Sequence, residues 1–170
     1  PPPPPPPPPL FFFTQTRASA LLSGLVGSEM CIRDRCVFGW TVANDVTARK
    51  LQKEHQQWFL GKSCDTFCPM SPWVIGADER PWSALNGSRL ETRVNGELRQ
   101  TADVRDMIFS VATLIKTMSR YQTLRPGDVI LCGTPSGVGA GQSPEPKFLR
   151  PGDEVAISID GVGRLTNRVR

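Results

Sequence analysis

Histidine is scarce in this sequence of 170 residues, which contains one histidine, His55, and five cysteines. Cys64 and Cys68 lie close together, but no second pair of zinc ligands accompanies them, and an odd number of cysteines leaves no complete disulfide framework. The composition therefore disfavours a zinc site and favours a reducing compartment. We expect an intracellular protein, cytoplasmic or mitochondrial.

Long apolar stretches and blocks of basic charge are also missing. The apolar run at residues 10–13 is too short to span a membrane, and nine prolines occupy the start, where a secretory signal needs basic residues. The net charge is +4 and the pI is about 9.0, but Lys and Arg are dispersed and no run of five occurs. We expect attraction for small anions, with neither membrane nor nucleic acid as a partner.

Two segments of different character divide the chain. Residues 1–35 begin with a proline run, which forms an extended helix without internal hydrogen bonds, and residues 23–35 are typical of translated adapter DNA in assembled transcripts. We interpret residues 1–35 as an assembly artefact, with a genuine disordered extension as the alternative, and expect them not to pack on the rest. Residues 36–170 are enough for one domain with its own core.

Local patterns in residues 36–170 predict a mostly β fold of the α+β class with two helices. Asn95 and Gly96 form the strongest hairpin signal, because both accept the positive φ of a type I′ turn. Apolar residues recur at three- and four-residue intervals over residues 106–120, which predicts the second helix. Apolar runs preceded by Pro-Gly-Asp turns predict strands at residues 129–132 and 154–159, and a last strand follows the Asp160-Gly161 turn.

The first predicted helix carries a cluster of polar side chains. A short β-type run at residues 40–42 ends near Asn44 and Asp45, either of which could cap a helix over residues 46–57. Asp45, Arg49 and Gln52 are spaced by four and three residues, which would place them on one helical face. A carboxylate, a guanidinium and an amide together suit a metal-bound organic anion. The alternative is a cap, a solvated charge and a surface helix former.

Lys62 follows Gly61 and precedes Ser63, but it does not belong to a phosphate-binding loop. Such a loop needs glycine at position 56, which is glutamine here, and it must open a helix, whereas Pro69 and Pro72 follow. We interpret Lys62 as a lysine that enters a pocket and neutralises an enolate or a carboxylate. The alternative is an exposed loop lysine.

Several motifs in one order resemble the fumarylacetoacetate hydrolase family, closest to its domain-containing-protein-2 branch. The resemblance covers residues 36–170. The motifs that carry it are VANDVTAR (42–49) with Gln52, FLGKS (59–63), DTFCP (65–69), PW (72–73), VNGE (94–97), DMIF (106–109), PGDVI (126–130), GTP (133–135), GVG (137–139), FL (148–149) and PGD (151–153).

The resemblance implies an incomplete copy of the mixed β-roll of the fumarylacetoacetase C-terminal domain. It further implies a Mg²⁺ or Ca²⁺ ion that binds the 2-oxo end of a β-diketo or β-keto acid and stabilises an enolate. Asp45 and Thr66 match residues at the metal, and Lys62 matches a catalytic residue. Arg49, Gln52 and Thr134 match substrate contacts. The family resemblance also implies a homodimer for the full-length protein.

One part of the family pattern has no counterpart here. The family's E-x-E pair of metal ligands, an earlier acidic ligand and its catalytic histidine precede the strand before Asp45, where this chain has the proline-rich and adapter-like segment. We therefore expect a domain truncated at its N-terminal side and impaired in catalysis. His55 follows Asp45, so it is not that histidine.

Three functions remain open from the sequence. The first is a metal-dependent hydrolase of β-diketo or 2-oxo acids such as acylpyruvates, with an oxaloacetate keto-enol tautomerase as its variant. The second is a non-catalytic dimerisation fragment, and the third is an anion- or nucleic-acid-binding β domain.

Overall fold

The computed structural model describes residues 36–170, so the predictions made for residues 1–35 lie outside the described residues. The elements are β1 (Gly39–Trp40), α1 (Arg49–Glu54), α2 (Trp58–Lys62), β2 (Ile75–Gly76), α3 (Trp82–Leu85), β3 (Arg89–Val94), β4 (Glu97–Asp103), α4 (Val111–Ser119), β5 (Glu154–Ile159) and β6 (Gly163–Arg168). Single 3₁₀ turns lie at Val104–Asp106 and Gly139–Gly141. The mostly β fold class is confirmed.

The larger sheet has four antiparallel strands in the order β4-β3-β5-β6. Asn95 and Gly96 join β3 to β4 with φ values of 50° and 82°, which confirms the predicted hairpin turn. Asn95 also donates its Nδ2 to Asp153 Oδ1 at 2.8 Å and accepts from the backbone N–H of Glu154 at 2.9 Å. The same turn therefore fixes the start of β5, which was predicted from its Pro-Gly-Asp signal.

One face of this sheet and α4 form the core. Val155, Ile157 and Ile159 alternate along β5 and are buried, as a strand with one covered face requires. Val111 and Ile115 of α4 are buried in the same cluster, since a spacing of four places them on one helical face. None of the helices in residues 36–170 is long and apolar enough to cross a membrane.

The helix predicted over residues 46–57 is shorter in the structure, where it spans Arg49–Glu54. It begins only at Arg49, because the backbone N–H of Ala48 donates to Gly61 O at 2.8 Å and residues 44–48 stay outside the helix. Ala48 is the N-cap, so a cap at Asn44 or Asp45 was wrong. Gln56 adopts a φ of 55° shortly after the helix ends, and α2 then folds back on α1.

The second predicted helix is also shorter than expected. Asp103 caps a 3₁₀ turn, and α4 starts five residues after that turn, where the Ser110 side chain accepts from the N–H of Thr113 at 3.2 Å. The predicted span of 106–120 therefore contains a turn, a link and then the helix. With α2 and α3 added, the described residues contain four short α-helices instead of two.

Residues 129–132 do not form the predicted buried strand. Ile130 and Cys132 are buried, at 7% and 4% exposure, whereas Val129 and Leu131 are each 39% exposed. The segment pairs with none of the described strands. The continuous apolar run therefore predicted a buried strand wrongly, because only alternate side chains of this segment reach the core.

We expect the capping box at Asp103 to make the stability of the fold depend on pH. Its carboxylate accepts from the Arg105 side chain and backbone N–H, while the N–H of Asp103 donates to Asp106 Oδ2 at 2.9 Å. The side-chain hydrogen bond from Arg105 is the main cause that lowers the pKa of Asp103 from 3.8 to about 2. A carboxylate with a lowered folded pKa stabilises the fold above its unfolded pKa, and this stabilisation disappears as the pH falls through the folded pKa.

We therefore expect the wild type to lose stability relative to Asp103→Asn between about pH 4 and pH 2. Asparagine keeps the cap but cannot titrate. The urea midpoints of both proteins across this pH range give their difference in stability. The contributions of the other carboxylates are the same in both proteins and cancel. A difference that does not change with pH would contradict the assignment.

Candidate functional site

A short antiparallel ladder positions the first half of the site. After β1 pairs with β2, Ala43 forms a bridge with Met70, and the N–H of Asn44 donates to Pro69 O at 3.0 Å. Asp45 follows Asn44 directly, and its negative charge acts on the thiol of Cys68, the residue before Pro69. The ladder, and not a helical face, therefore presents the carboxylate of Asp45.

Helix α2 supplies the partner of this carboxylate. Lys62 is its last residue, and its Nζ lies 2.5 Å from Asp45 Oδ2. The side chains of Lys62 and Asp45 are only 27% and 20% exposed. An ion pair with this little exposure is more costly to disturb than a surface pair. The alternatives of an exposed loop lysine and a helix cap are therefore wrong.

Helix α1 contains a second pair of interacting side chains. Arg49 Nη1 donates to Gln52 Oε1 at 2.9 Å, as the predicted spacing of three allows. Gln52 is only 9% exposed, and its Nε2 is buried without a hydrogen-bond partner in the described residues. A buried donor without an acceptor costs free energy, so an additional acceptor at this amide would stabilise it.

The two pairs are connected through Gly61. A Cβ added to Gly61 would lie 2.8 Å from Gln52 Cβ, so α1 and α2 touch at this point. Lys62 follows directly in the sequence. The structure thus brings Asp45, Lys62, Arg49 and Gln52 into one region, in two hydrogen-bonded pairs.

Thr134 belongs to a different contact. Its Oγ1 accepts from Gln100 Nε2 of β4 at 2.9 Å. No hydrogen bond or ion pair within residues 36–170 joins it to the two pairs described above. Its place at the same site stays a prediction.

The loop after α2 holds two unusual backbone conformations. Thr66 and Cys68 have φ values of 68° and 57°, a region that non-glycine residues seldom adopt and that is most costly for a β-branched side chain. Thr66 is exposed, and its role as a metal ligand stays a prediction. This strained backbone lies beside the Asp45–Lys62 pair. Strained conformations of this kind often occur at functional sites.

Cys68 is a site residue that the sequence analysis did not identify. Burial raises the pKa of its thiol, the negative charge of Asp45 raises this pKa further, and Lys62 opposes the shift. Its position beside Asp45 follows from the hydrogen bond between Asn44 and Pro69, a contact between distant residues that the sequence pattern did not reveal. The thiol therefore stays protonated beside the ion pair.

The described residues do not by themselves fit a divalent cation. Residues 36–170 contain no group of three or more His, Cys, Asp or Glu side chains placed to hold a metal ion. Mg²⁺ and Ca²⁺ take six or more oxygen ligands, and Asp45 offers one carboxylate, which Lys62 already neutralises. Further carboxylates would have to come from outside the described residues.

Comparison with known proteins assigns the class. The family described as fumarylacetoacetate (FAA) hydrolase C-terminal matches residues 33–170. The chain therefore belongs to the fumarylacetoacetate hydrolase family. This family includes hydrolases and a tautomerase among the relatives that are similar to the chain.

Three relatives illustrate the range of the family. Oxaloacetate tautomerase YisK of Bacillus subtilis (strain 168) is 54% identical over 135 residues, which are 78% of this chain and 43% of that protein. The fumarylacetoacetate hydrolase structure from psychrophilic Exiguobacterium antarcticum has a TM-score of 0.79 and 40% identity, covering 95% of this chain and 56% of that one. Fumarylpyruvate hydrolase from Pseudomonas aeruginosa, in complex with Mn²⁺ and pyruvate, has a TM-score of 0.77 and 27% identity, covering 94% and 63%. The chain thus spans about half the length of these relatives.

Proposed function

We propose that this chain carries the substrate-binding part of an enzyme that acts on small 2-oxo acids. The observation that carries the proposal is the buried Gln52 amide, whose Nε2 has no acceptor among residues 36–170, next to Arg49 and close to the Asp45–Lys62 pair. An amide and two cations placed around one carboxylate favour an organic anion with several oxygens.

Each residue has a distinct chemical role in this proposal. Arg49 binds a substrate carboxylate, since its planar guanidinium presents several donors in a fixed arrangement. Gln52 Nε2 donates to a neighbouring carbonyl or carboxylate oxygen. Lys62 places a positive charge where negative charge develops on the enolate oxygen, and Asp45 fixes the direction of the Lys62 ammonium.

Between the reactions known in the family, we propose keto-enol tautomerisation of an oxaloacetate-like acid. The Bacillus tautomerase is much more similar in sequence to this chain than the Pseudomonas hydrolase is. Both reactions pass through an enolate, so the same cationic side chain serves either. Hydrolysis of a C–C bond in an acylpyruvate is the second candidate, and the products distinguish the two.

Several finer expectations stay proposals. The Mg²⁺ or Ca²⁺ ion is not used in any step here, because the described residues do not complete its site, although one relative is a Mn²⁺ complex. The homodimer, the domain-containing-protein-2 branch and the non-catalytic fragment stay open in the same way. The relatives reported above are bacterial and give no support to a mitochondrial location.

Titration calorimetry with oxalate, a stable dicarboxylate of the same chemical class, tests the proposal. We expect Arg49→Gln to weaken oxalate binding about tenfold or more, since a charge-assisted bidentate contact is lost. Lys50→Gln is the matched control, because it removes the same charge from the neighbouring position, where the side chain is 88% exposed. Its affinity should stay near that of the wild type.

Equal losses in the two variants would show a general effect of charge and would overturn the proposed site. Tautomerase activity is measured separately, from the change in the enol absorbance of oxaloacetate with and without Mn²⁺.

A further inference from the structure

Helix α2 and the ladder hold the two ends of one short loop at neighbouring positions. Before the loop, Lys62 Nζ donates to Asp45 Oδ2, and after it Pro69 O accepts from the N–H of Asn44 at 3.0 Å. Residues 63–68 therefore leave the site and return to it. A short loop whose ends are held in this way keeps its first and last residues close in space.

A tight turn folds this loop back further. The N–H of Phe67 donates to Cys64 O at 3.0 Å, and Thr66 and Cys68 adopt φ values of 68° and 57°. A four-residue turn of this kind brings its ends within about 7 Å, and Cys68 directly follows its last residue. A disulfide joins cysteines whose Cα atoms lie about 4.4–6.8 Å apart, so a small movement of this loop is enough to join Cys64 to Cys68.

The two thiols lie on either side of the Asp45–Lys62 pair. Cys64 Sγ donates to Leu60 O of α2 at 3.4 Å, just before Lys62. The Cys68 thiol lies close enough to Asp45 and Lys62 for both charges to act on it. Both cysteines are free and half-buried, so a small reagent can reach them. A bond between the two sulfur atoms would therefore change contacts on both sides of the ion pair.

We propose that Cys64 and Cys68 form a redox switch, in which an intrachain disulfide weakens anion binding at the Asp45–Lys62 pair. The co-reactant is a small disulfide such as oxidised glutathione. One cysteine thiolate attacks a sulfur of this reagent and releases a first thiol, and the other cysteine attacks the mixed disulfide and releases a second. The protein loses two electrons and two protons, which the two released thiols carry. The effect on ligand binding rests on the proposed function, whereas the formation of the bond does not.

The direction of the effect follows from the contacts that the bond replaces. Cys64 Sγ must leave Leu60 O and turn toward Cys68, so the end of α2 loses a contact beside Lys62. The loop cannot absorb the whole movement, because its backbone already holds two non-glycine residues at positive φ. The Lys62 ammonium then shifts away from Asp45. In a reducing compartment such a disulfide is transient, as is usual for redox-sensing cysteines.

Mass spectrometry and oxalate titration of the full chain, with and without oxidised glutathione, test the switch. We expect the tryptic peptide of residues 63–89, which contains both cysteines and no other, to become lighter by two hydrogen atoms. Oxalate affinity should fall about tenfold and recover when dithiothreitol is added. Cys64→Ser is the matched control, because its hydroxyl keeps a donor for Leu60 O but cannot form the bond. The affinity of this variant should not respond to glutathione.

Acetylation of Lys62 by an amine-reactive ester gives a second readout, which does not depend on the proposed function. The Lys62 side chain is 27% exposed and paired, whereas that of Lys50 is 88% exposed and serves as the internal reference. We expect the labelling of Lys62 relative to Lys50 to rise severalfold on oxidation, because the amine becomes accessible once it leaves Asp45.

Free thiols in the peptide of residues 63–89, or only a mixed disulfide with glutathione, would overturn the proposal and leave the proposed function standing. An intrachain disulfide that leaves oxalate affinity unchanged would overturn it as well. If the reduced wild type binds no oxalate, the proposed function fails and the labelling of Lys62 decides. A rise on oxidation then supports the switch, and unchanged labelling overturns it.

Discussion

Lys62→Met is expected to lower oxalate affinity by about a hundredfold and to destabilise the chain by about 1–3 kcal/mol. Lys62 Nζ lies 2.5 Å from Asp45 Oδ2, in a pair whose side chains are at most 27% exposed. Without the ammonium, a mostly buried carboxylate keeps its charge without a partner, and this charge repels an anionic ligand. Both effects act in the same direction, so we expect this substitution to be among the most damaging at the site.

The double variant Asp45→Asn, Lys62→Met separates the two effects. It removes both charges, so it should recover most of the lost stability, because no unpaired charge remains. Oxalate affinity should stay low, since the cation is still absent. Lys50→Met is the control, because its ion pair with Glu54 is long, at 3.9 Å, and exposed, and such pairs contribute little. Urea unfolding and calorimetry of all four proteins provide the data.

Equal stability of Lys62→Met and of the double variant would contradict the expectation that an unpaired Asp45 carboxylate destabilises the fold. That result would mean that Asp45 is well solvated without Lys62, and the pair would then be an ordinary surface contact.

Local signals predicted the elements that depend on neighbours in the sequence. The turn at Asn95 and Gly96 requires two residues that tolerate positive φ, and no distant contact is needed to produce it. Strand β5 follows from its alternation and from the turn before it. Arg49 and Gln52 were correctly placed on one face, because their spacing of three lies inside a real helix.

The errors fall where distant contacts override local preference. Residues 44–48 have a helix-compatible sequence, but Ala48 bonds to Gly61 and Asn44 bonds to Pro69. Cys68 lies near Asp45 because Asn44 bonds to Pro69, a residue distant in the sequence. Residues 129–132 resemble a buried strand in composition, yet only tertiary packing decides that Val129 faces outward. Propensity cannot supply this information, since it describes single segments.

The second large effect is expected from Gly61→Val, which should destabilise the chain by about 2–3 kcal/mol and weaken oxalate binding at least tenfold. A Cβ at Gly61 would lie 2.8 Å from Gln52 Cβ, 3.0 Å from Gln52 N and 3.1 Å from Ala48 O. Two of these atoms belong to the backbone, so they cannot rotate away as the end of a long side chain would. Helix α2 must then move away from α1.

This displacement reaches both pairs of the site. Lys62 follows Gly61 directly, so its ammonium would lose the 2.5 Å contact with Asp45, and the Gln52 amide would lose the surface that buries it. Gly141→Val is the matched control, since a Cβ there meets only Val138 Cγ2 at an ordinary 3.7 Å. We expect that control to stay within about 0.5 kcal/mol of wild type, with unchanged oxalate affinity. If Gly61→Val behaved like Gly141→Val, the contact between α1 and α2 would not be what holds Lys62 at Asp45, and the ladder alone would have to position the site.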